Sequence, residues 1–192
     1  MEQNIVQKIF PPVSDMNKMP KYDNEGLWSI TYPKEADIIS QIIKSEIGQE
    51  ATIFDATAGV GGNTISFAKY FTHVFSVEIS ASRFELLKNN IEVYKLENVT
   101  VSNENCLDIL SGNYQGYFFD PPWGGPDYKQ KNETSIKLGN YTLEEVVFKV
   151  KNENDNPIFF KLPFNYNLNE FSKFNYKIDK IKNYQLVTIY KD

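Results

Sequence analysis

A chain of 192 residues, 41% apolar and 15% aromatic, suffices for one domain with a buried core. A net charge of −5 and a pI near 5.1 argue against a long electrostatic footprint on nucleic acid, though not against a nucleotide or the end of an RNA. One cysteine (Cys106) excludes an internal disulfide, and with a single histidine (His73) a His/Cys zinc site is not expected. No apolar run approaches the roughly 18 residues of a bilayer span, and the N-terminus lacks a basic region followed by an apolar one. An intracellular protein is expected, nuclear or cytoplasmic or a viral product inside its host, with no membrane partner, no metal and a monomeric state.

Residues 1–20 read as an irregular arm, broken by Pro11, Pro12 and Pro20, ahead of a domain at 21–192. The stretch Lys21 to Thr31 has no clear period, and Trp28 within it suits either a docking surface or an apolar plug. From Glu35 the period becomes helical: Ile38, Ile39, Ile42, Ile43 and Ile47 form one stripe, closed by Gly48. Thr52 to Asp55 is a β-rich run, followed by the glycine-rich turn Ala56-Thr57-Ala58-Gly59-Val60-Gly61-Gly62-Asn63-Thr64 and a helix carrying Ile65, Phe67, Ala68 and Phe71. Strand, glycine turn and helix together form a nucleotide-binding arrangement. A dinucleotide fingerprint wants a third glycine where this chain has Thr64, and Asp55 would repel a pyrophosphate. An acid there suits a cation, so the loop (Asp55, Thr57, Ala58, Gly59, Gly61, Asn63, Thr64) favours S-adenosylmethionine, whose product is S-adenosylhomocysteine.

His73 is placed in a turn before the strand Val74 to Val77, which ends at Glu78 and Ile79. Glu78 lies near the offset expected for ribose recognition. Ser82 to Glu85 resembles a capping box opening a helix with Leu87, Asn90, Ile91 and Tyr94. After the strand Val99 to Val101, Asn105 and the Cys106 amide are the candidates for adenine, with Asp108 as the alternative. Phe118-Phe119-Asp120-Pro121-Pro122-Trp123-Gly124-Gly125-Pro126-Asp127-Tyr128 then joins the end of a buried strand to a stiff loop. Asp120 and the Pro121 carbonyl can each accept one N–H of an exocyclic amine while Trp123 stacks on the ring, which makes these three the catalytic candidates. Residues 129–141 read as a polar flap, 142–150 as a capped helix, 151–156 as a solvated loop, and Ile158 to Leu162 as a strand. An antiparallel hairpin, near 176–181 and 185–190, ends the chain. The alternation gives an α/β fold: a doubly wound, mostly parallel sheet with an antiparallel edge.

The order of glycine loop, second-strand acid and Asp-Pro-Pro-Trp resembles a class I (Rossmann-like) S-adenosylmethionine-dependent amino-methyltransferase. More narrowly, Glu25-Gly26 with Ser29 and Thr31, then Gly59 to Thr64, Pro121 to Tyr128, and Leu162-Pro163 with Asn165 resemble the trimethylguanosine synthase family. The chain departs from many of its members in having Asp120 where they have serine. The resemblance implies a seven-stranded sheet of order 3-2-1-4-5-7-6 and methylation of the guanine N2 of 7-methylguanosine RNA caps. It makes Lys21 and Ser29 candidates for the cap nucleotide, with Trp28 and Asn165 as further ones. The alternatives are a ribosomal-RNA guanine-N2 or other base amino-methyltransferase, and a binding subunit without turnover.

Overall fold

The computed structural model describes residues 2–15, 17–130 and 133–190. Seven strands form the main sheet: β1 (Thr52–Asp55), β2 (His73–Val77), β3 (Val99–Ser102), β4 (Gly116–Phe119), β5 (Ile158–Pro163), β6 (Tyr176–Ile181) and β7 (Tyr184–Ile189). Their order is β3-β2-β1-β4-β5-β7-β6, parallel from β3 through β5, with β7 antiparallel to β5 and β6 antiparallel to β7. This is the order that the family resemblance implies. Among the described residues, six α-helices accompany the sheet: α1 (Glu2–Ile9), α2 (Asn24–Ser29), α3 (Pro33–Ile47), α4 (Gly62–Tyr70), α5 (Ala81–Tyr94) and α6 (Leu143–Glu153).

The central strands are apolar on both faces because each face carries helices. Side chains alternate along them. Phe54, Tyr117, Phe119, Ile158 and Phe160 join the cluster under α6, with Val146, Val147 and Val150. Ile53, Phe118 and Phe159 join the opposite cluster, with Ile39 and Ile43 of α3 and Phe67 of α4. The isoleucine stripe is thus only partly internal: Ile39 and Ile43 are buried, whereas Ile38 is exposed.

Several local expectations change. The arm begins as a helix, because Ile5, Val6, Ile9 and Phe10 recur at helical spacing before Pro11; Val6, Ile9 and Phe10 are buried in a third cluster with Val60 and Ile65. The segment after Lys21 contains α2, whose N-cap Asp23 accepts from the Gly26 amide at 2.6 Å. His73 is the first residue of β2 rather than part of a turn. The cap of α5 is Ser80, which accepts from the Arg83 amide, while the Ser82 hydroxyl bonds Ser80 instead. Within the expected flap, Lys137–Leu138 and Tyr141–Thr142 form an antiparallel ribbon, and residues 131 and 132 lie outside the described residues. The capping box of Thr142 and Glu145 opens α6, which runs on to Glu153, into the expected loop.

Asn90, fully buried, joins the N-terminal segment to the glycine loop. Its Oδ1 accepts from the Lys21 amide at 2.7 Å, and its Nδ2 donates to the Lys21 and Val60 carbonyls, each at 2.8 Å. Asn90→Ala strands these buried groups at a cost of about 1–3 kcal/mol. The thermal midpoint is expected to fall by roughly 2–10 °C; an unchanged midpoint in a melting experiment would deny Asn90 this role.

Candidate active site

The strand order reverses between β1 and β4, and the loops leaving their carboxyl ends diverge into one cleft. The Asp120 amide donates to Thr57 Oγ1 at 2.7 Å, so the glycine loop and the proline loop are bonded to each other across this point. The cleft is about 850 Å³. One half is lined by Ala56 to Val60, Asn63, Glu78, Ile79 and Glu104 to Leu107. The other is lined by Trp28 to Tyr32, Pro121 to Trp123, Tyr128, the ribbon turn Leu138 to Tyr141, Lys161, and Lys182 to Tyr184.

In the first half, Gly59 and Gly61 adopt φ of +57° and +98°, the left-handed region that favours glycine, and Gly61 caps α4. Glu78 secures the loop: its Oε2 accepts from the Gly59 amide at 2.9 Å and its Oε1 from the Ser80 amide at 2.9 Å. Arg83 reaches Glu78 at 3.6 Å, Glu25 at 2.5 Å and Asp23 at 3.3 Å, tying α2 to the end of β2. Asn63 donates to Thr31 Oγ1 at 3.0 Å, and its buried Oδ1 has no hydrogen-bond partner. Ile79 is 71% exposed, an apolar surface beside an acid. Asn105 caps the short turn Cys106–Asp108 by accepting from the Leu107 amide at 3.2 Å. Burial pushes the Cys106 thiol up to about 12, so this sulfur stays protonated and is no nucleophile.

Several sequence candidates support the cleft from outside it. Asp55 and Thr64 sit beneath the loop: Thr64 Oγ1 donates to Asp55 Oδ2 at 2.6 Å and accepts from Ser76 at 3.1 Å, while Asp55 Oδ1 is buried without a hydrogen-bond partner. Gly61 shapes the backbone without lining the cavity. Lys21, which the resemblance makes a candidate for the cap nucleotide, lines a separate depression with Lys18 and Asn89 and not this cleft. Asn165 donates to the Tyr128 carbonyl at 2.9 Å and receives the Thr134 amide on its own carbonyl; it ties loops together. Ser29 and Trp28 do line the cleft, and Trp28, 52% exposed, is an open aromatic surface rather than an apolar plug. Asp108 is absent from the lining.

The largest departure from the sequence reading is Lys161. Its Nζ stands 2.6 Å from Asp120 Oδ2 and over the rings of Trp123 (5.1 Å to the centroid) and Tyr184 (4.9 Å). Its carbonyl accepts from Trp123 Nε1 at 3.3 Å. Trp123 also meets Tyr128 edge-on at 5.0 Å and Tyr184 at 6.2 Å, so the indole is braced rather than free-standing. Burial pushes the Asp120 carboxyl above the usual carboxylate range, against the pull of Lys161 and of the Thr31 hydroxyl. The signal that could have found Lys161 was a lysine within the otherwise apolar run Ile158 to Leu162, a charge that needs a partner. Among the described residues, no group of His, Cys, Asp and Glu side chains could hold a metal ion, and no helix is long and apolar enough to cross a membrane.

Burial raises the Asp55 carboxyl from 3.8 to about 7, against the Thr64 hydrogen bond; Asp120 and Glu78 push the same way as burial. The folded protein keeps this proton where the unfolded chain has lost it, so the group costs stability as pH rises from 3.8 to about 7. Asp55→Asn removes that dependence. Relative to the parent it should gain stability at pH 8 over pH 4.5, by at most about 3 kcal/mol. Denaturant titrations at both pH values check this, and parallel pH dependences would contradict it.

Comparison with known proteins agrees with the fold and narrows the family. Residues 50–191 match the family described as RNA cap guanine-N2 methyltransferase. An uncharacterized protein of Acanthamoeba polyphaga mimivirus is 32% identical, over 95% of this chain and 80% of its own length. The trimethylguanosine synthase of Schizosaccharomyces pombe is 35% identical over 69% of this chain, and that of Saccharomyces cerevisiae 26% over 82%. The match spans 61% and 53% of those two yeast proteins. Solved structures with the same fold include a precorrin-6y C5,15-methyltransferase from Geobacter metallireducens (TM-score 0.56, 14% identity, 81% of this chain and 88% of that one). Another is an rRNA methylase from Streptococcus thermophilus (TM-score 0.53, 12% identity, 80% and 94%). Substrates as different as these two names imply show that the shared fold fixes no substrate. The family match covers the glycine loop, the second-strand acid and the Asp-Pro-Pro-Trp loop together, and the chain belongs to the RNA cap guanine-N2 methyltransferase family.

Proposed function

We propose that this protein transfers a methyl group from S-adenosylmethionine to the exocyclic N2 amine of 7-methylguanosine at the end of a capped RNA. The observation that carries the reading is the placement of Asp120, Pro121 and Trp123 in the aromatic half of a cleft whose other half is the glycine loop, the two halves joined by the Thr57–Asp120 hydrogen bond.

The residues fit the methyl donor. Asn63 Oδ1 in the cleft wall is a buried acceptor without a donor, and an α-ammonium is a cation that only donates. Glu78 uses two of its roughly four acceptor directions on backbone amides, which leaves others for ribose hydroxyls. Ile79 offers a flat apolar surface for adenine, next to Asn105 and Cys106. When bound, the donor supplies an electrophilic methyl group on a sulfonium.

The protein's own contribution is orientation. A guanine N2 lone pair is delocalised into the ring, and hydrogen bonds from the amine to Asp120 and the Pro121 carbonyl favour a pyramidal nitrogen aimed out of the ring plane. Holding two reactants in near-attack geometry supplies about 7–11 kcal/mol of the barrier, so positioning outweighs any need for a base. Trp123 provides the plate for the base. Lys129 and Lys182 stand in the same half as point charges for cap phosphates, and Trp28, Tyr32 and Tyr141 extend the aromatic lining outward.

Three measurements test this reading. Methyl transfer to a 7-methylguanosine cap analogue should exceed that to the unmethylated cap by about 2–30-fold, the range given by about 0.5–2 kcal/mol of cation–π attraction. Faster transfer to ribosomal RNA would reassign the substrate. Trp123→Ala should lower kcat/KM for the cap by about 5–150-fold, as losing about 1–3 kcal/mol of base stacking implies, with S-adenosylmethionine affinity by calorimetry unchanged; unaltered turnover removes Trp123 from the site. Asn63→Ala should weaken S-adenosylmethionine binding by about 10–150-fold, the loss of one hydrogen bond to a charged group, and equal affinity would exclude Asn63 as a ligand for the donor.

A further inference from the structure

Strand β5 is buried along its whole length, yet it carries a lysine. Lys161 is 5% exposed, and a buried ammonium costs several kcal/mol unless it is paired. Its position follows from register. Phe118 of β4 lies beside Phe159 of β5, and both face the α3 side of the sheet. Two residues further on each strand, Asp120 and Lys161 occupy the same level and the same face, one strand spacing apart. Their side chains meet at 2.6 Å.

What Lys161 touches separates it from an ordinary core lysine. Its ammonium bonds the carboxylate at Asp120 and covers the ring of Trp123, while its carbonyl receives the Trp123 indole N–H. One residue therefore fixes both groups assigned above to the substrate base. An ammonium has no acceptor and cannot receive an N–H of the amine, so its effect on that amine passes through Asp120 and Trp123.

We propose that Lys161 is a positioning residue for amine recognition: it keeps the Asp120 carboxylate ionised and aimed, leaving lone pairs of that carboxylate for the N–H groups of the substrate, and braces Trp123 beside it. The proposal rests on the amino-methyltransferase reading of the cleft. Its physical basis is a competition, because burial of Asp120 favours the neutral acid, a poorer acceptor, and the adjacent ammonium opposes this. The other groups facing Asp120 are Tyr128 from the loop after β4, Tyr184 from β7 and Asp55 from the end of β1, together with the uncharged Thr31 hydroxyl. None of the three titratable ones is a cation, so in this set the counter-charge comes from Lys161.

The test compares Asp120→Ser, Lys161→Met, Lys161→Arg and the double variant Asp120→Ser/Lys161→Met with the parent. With a 7-methylguanosine cap analogue as substrate, Lys161→Met is expected to move the acid limb of the kcat profile upward by about 1–3 pH units, the effect of losing an opposite charge at this range. Lys161→Arg should restore part of the parent profile. The double variant should show no such limb and should cost less than the sum of the two single losses. Asp55 is the same in the parent and both single Lys161 variants, so the difference between profiles reports Asp120. In parallel, the Asp120 carboxyl is titrated by carbon NMR, with its signal assigned by its loss in Asp120→Asn, and Lys161→Met should raise its midpoint by the same amount. Superimposable kcat profiles with an unmoved carboxyl midpoint overturn the proposal. If the parent methylates no guanine substrate, the functional reading fails, and the carboxyl titration alone still decides whether Lys161 holds Asp120 ionised. Should Lys161→Met not fold, the Lys161→Arg and double variants carry the comparison, and a double variant that keeps the parent pH limb overturns the proposal.

Discussion

Strands β1 and β4 lie side by side and parallel, so their carboxyl ends release the glycine loop and the Asp-Pro-Pro-Trp loop into the same space. Every group assigned to the chemistry depends on that adjacency. Two strands 63 residues apart by register (Phe54 beside Tyr117) bring Thr57 and Asp120 into hydrogen-bond contact, and the two halves of the cleft meet at this bond. Parity does the rest: residues two apart share a face, so Asp55, Asp120 and Lys161 follow Ile53, Phe118 and Phe159 onto the α3 side of three adjacent strands. Charged residues at the end of an apolar run are thereby collected into one group, in which Asp55 and Lys161 are buried and Asp120 faces the cleft.

That collection has an electrostatic logic. The chain is acidic, and its cleft contains Glu25, Glu35, Glu78, Glu104 and Asp120 beside Arg83, Lys129, Lys161 and Lys182. Most of these charges are matched locally: Arg83 with Glu25 and Glu78, Lys161 with Asp120, and Lys182 with Glu35 at 3.6 Å. A binding surface of this kind does not attract a long polyanion from a distance. It suits a short ligand recognised by stacking and directed hydrogen bonds, in keeping with the substrate proposed above.

The N-terminal segment belongs to the same machinery. It packs α1 against Val60 of the glycine loop, bonds Lys21 to Asn90, and holds α2 to Glu78 through Arg83. These contacts carry Trp28 and Ser29 to the rim of the cleft while Thr31 bonds Asn63 inside it. Because the acid that secures the glycine loop and the helix that presents the outer aromatic rim share one arginine, the two halves of the site are stiffened by common contacts.

The sequence by itself determined the alternation of strands and helices, the glycine turn, the acid after β2 and the stiff aromatic loop after β4, because each is written in local spacing and turn chemistry. It also determined that residue types suited to an adenosyl donor and an amine lie in that order along the chain. It did not reveal α1, whose apolar spacing stood among prolines, nor α2, whose cap at Asp23 precedes only six helical residues. Lys21 and Asn165 have side chains suited to a ligand, but side-chain chemistry is visible in a sequence without direction; Asn165 donates to the Tyr128 carbonyl, and Lys21 lines a depression apart from the cleft. The partner of Asp120 was decided only by the pairing of β4 with β5, since register between strands 41 residues apart at that contact is set by packing across the whole sheet and leaves no local mark on either segment.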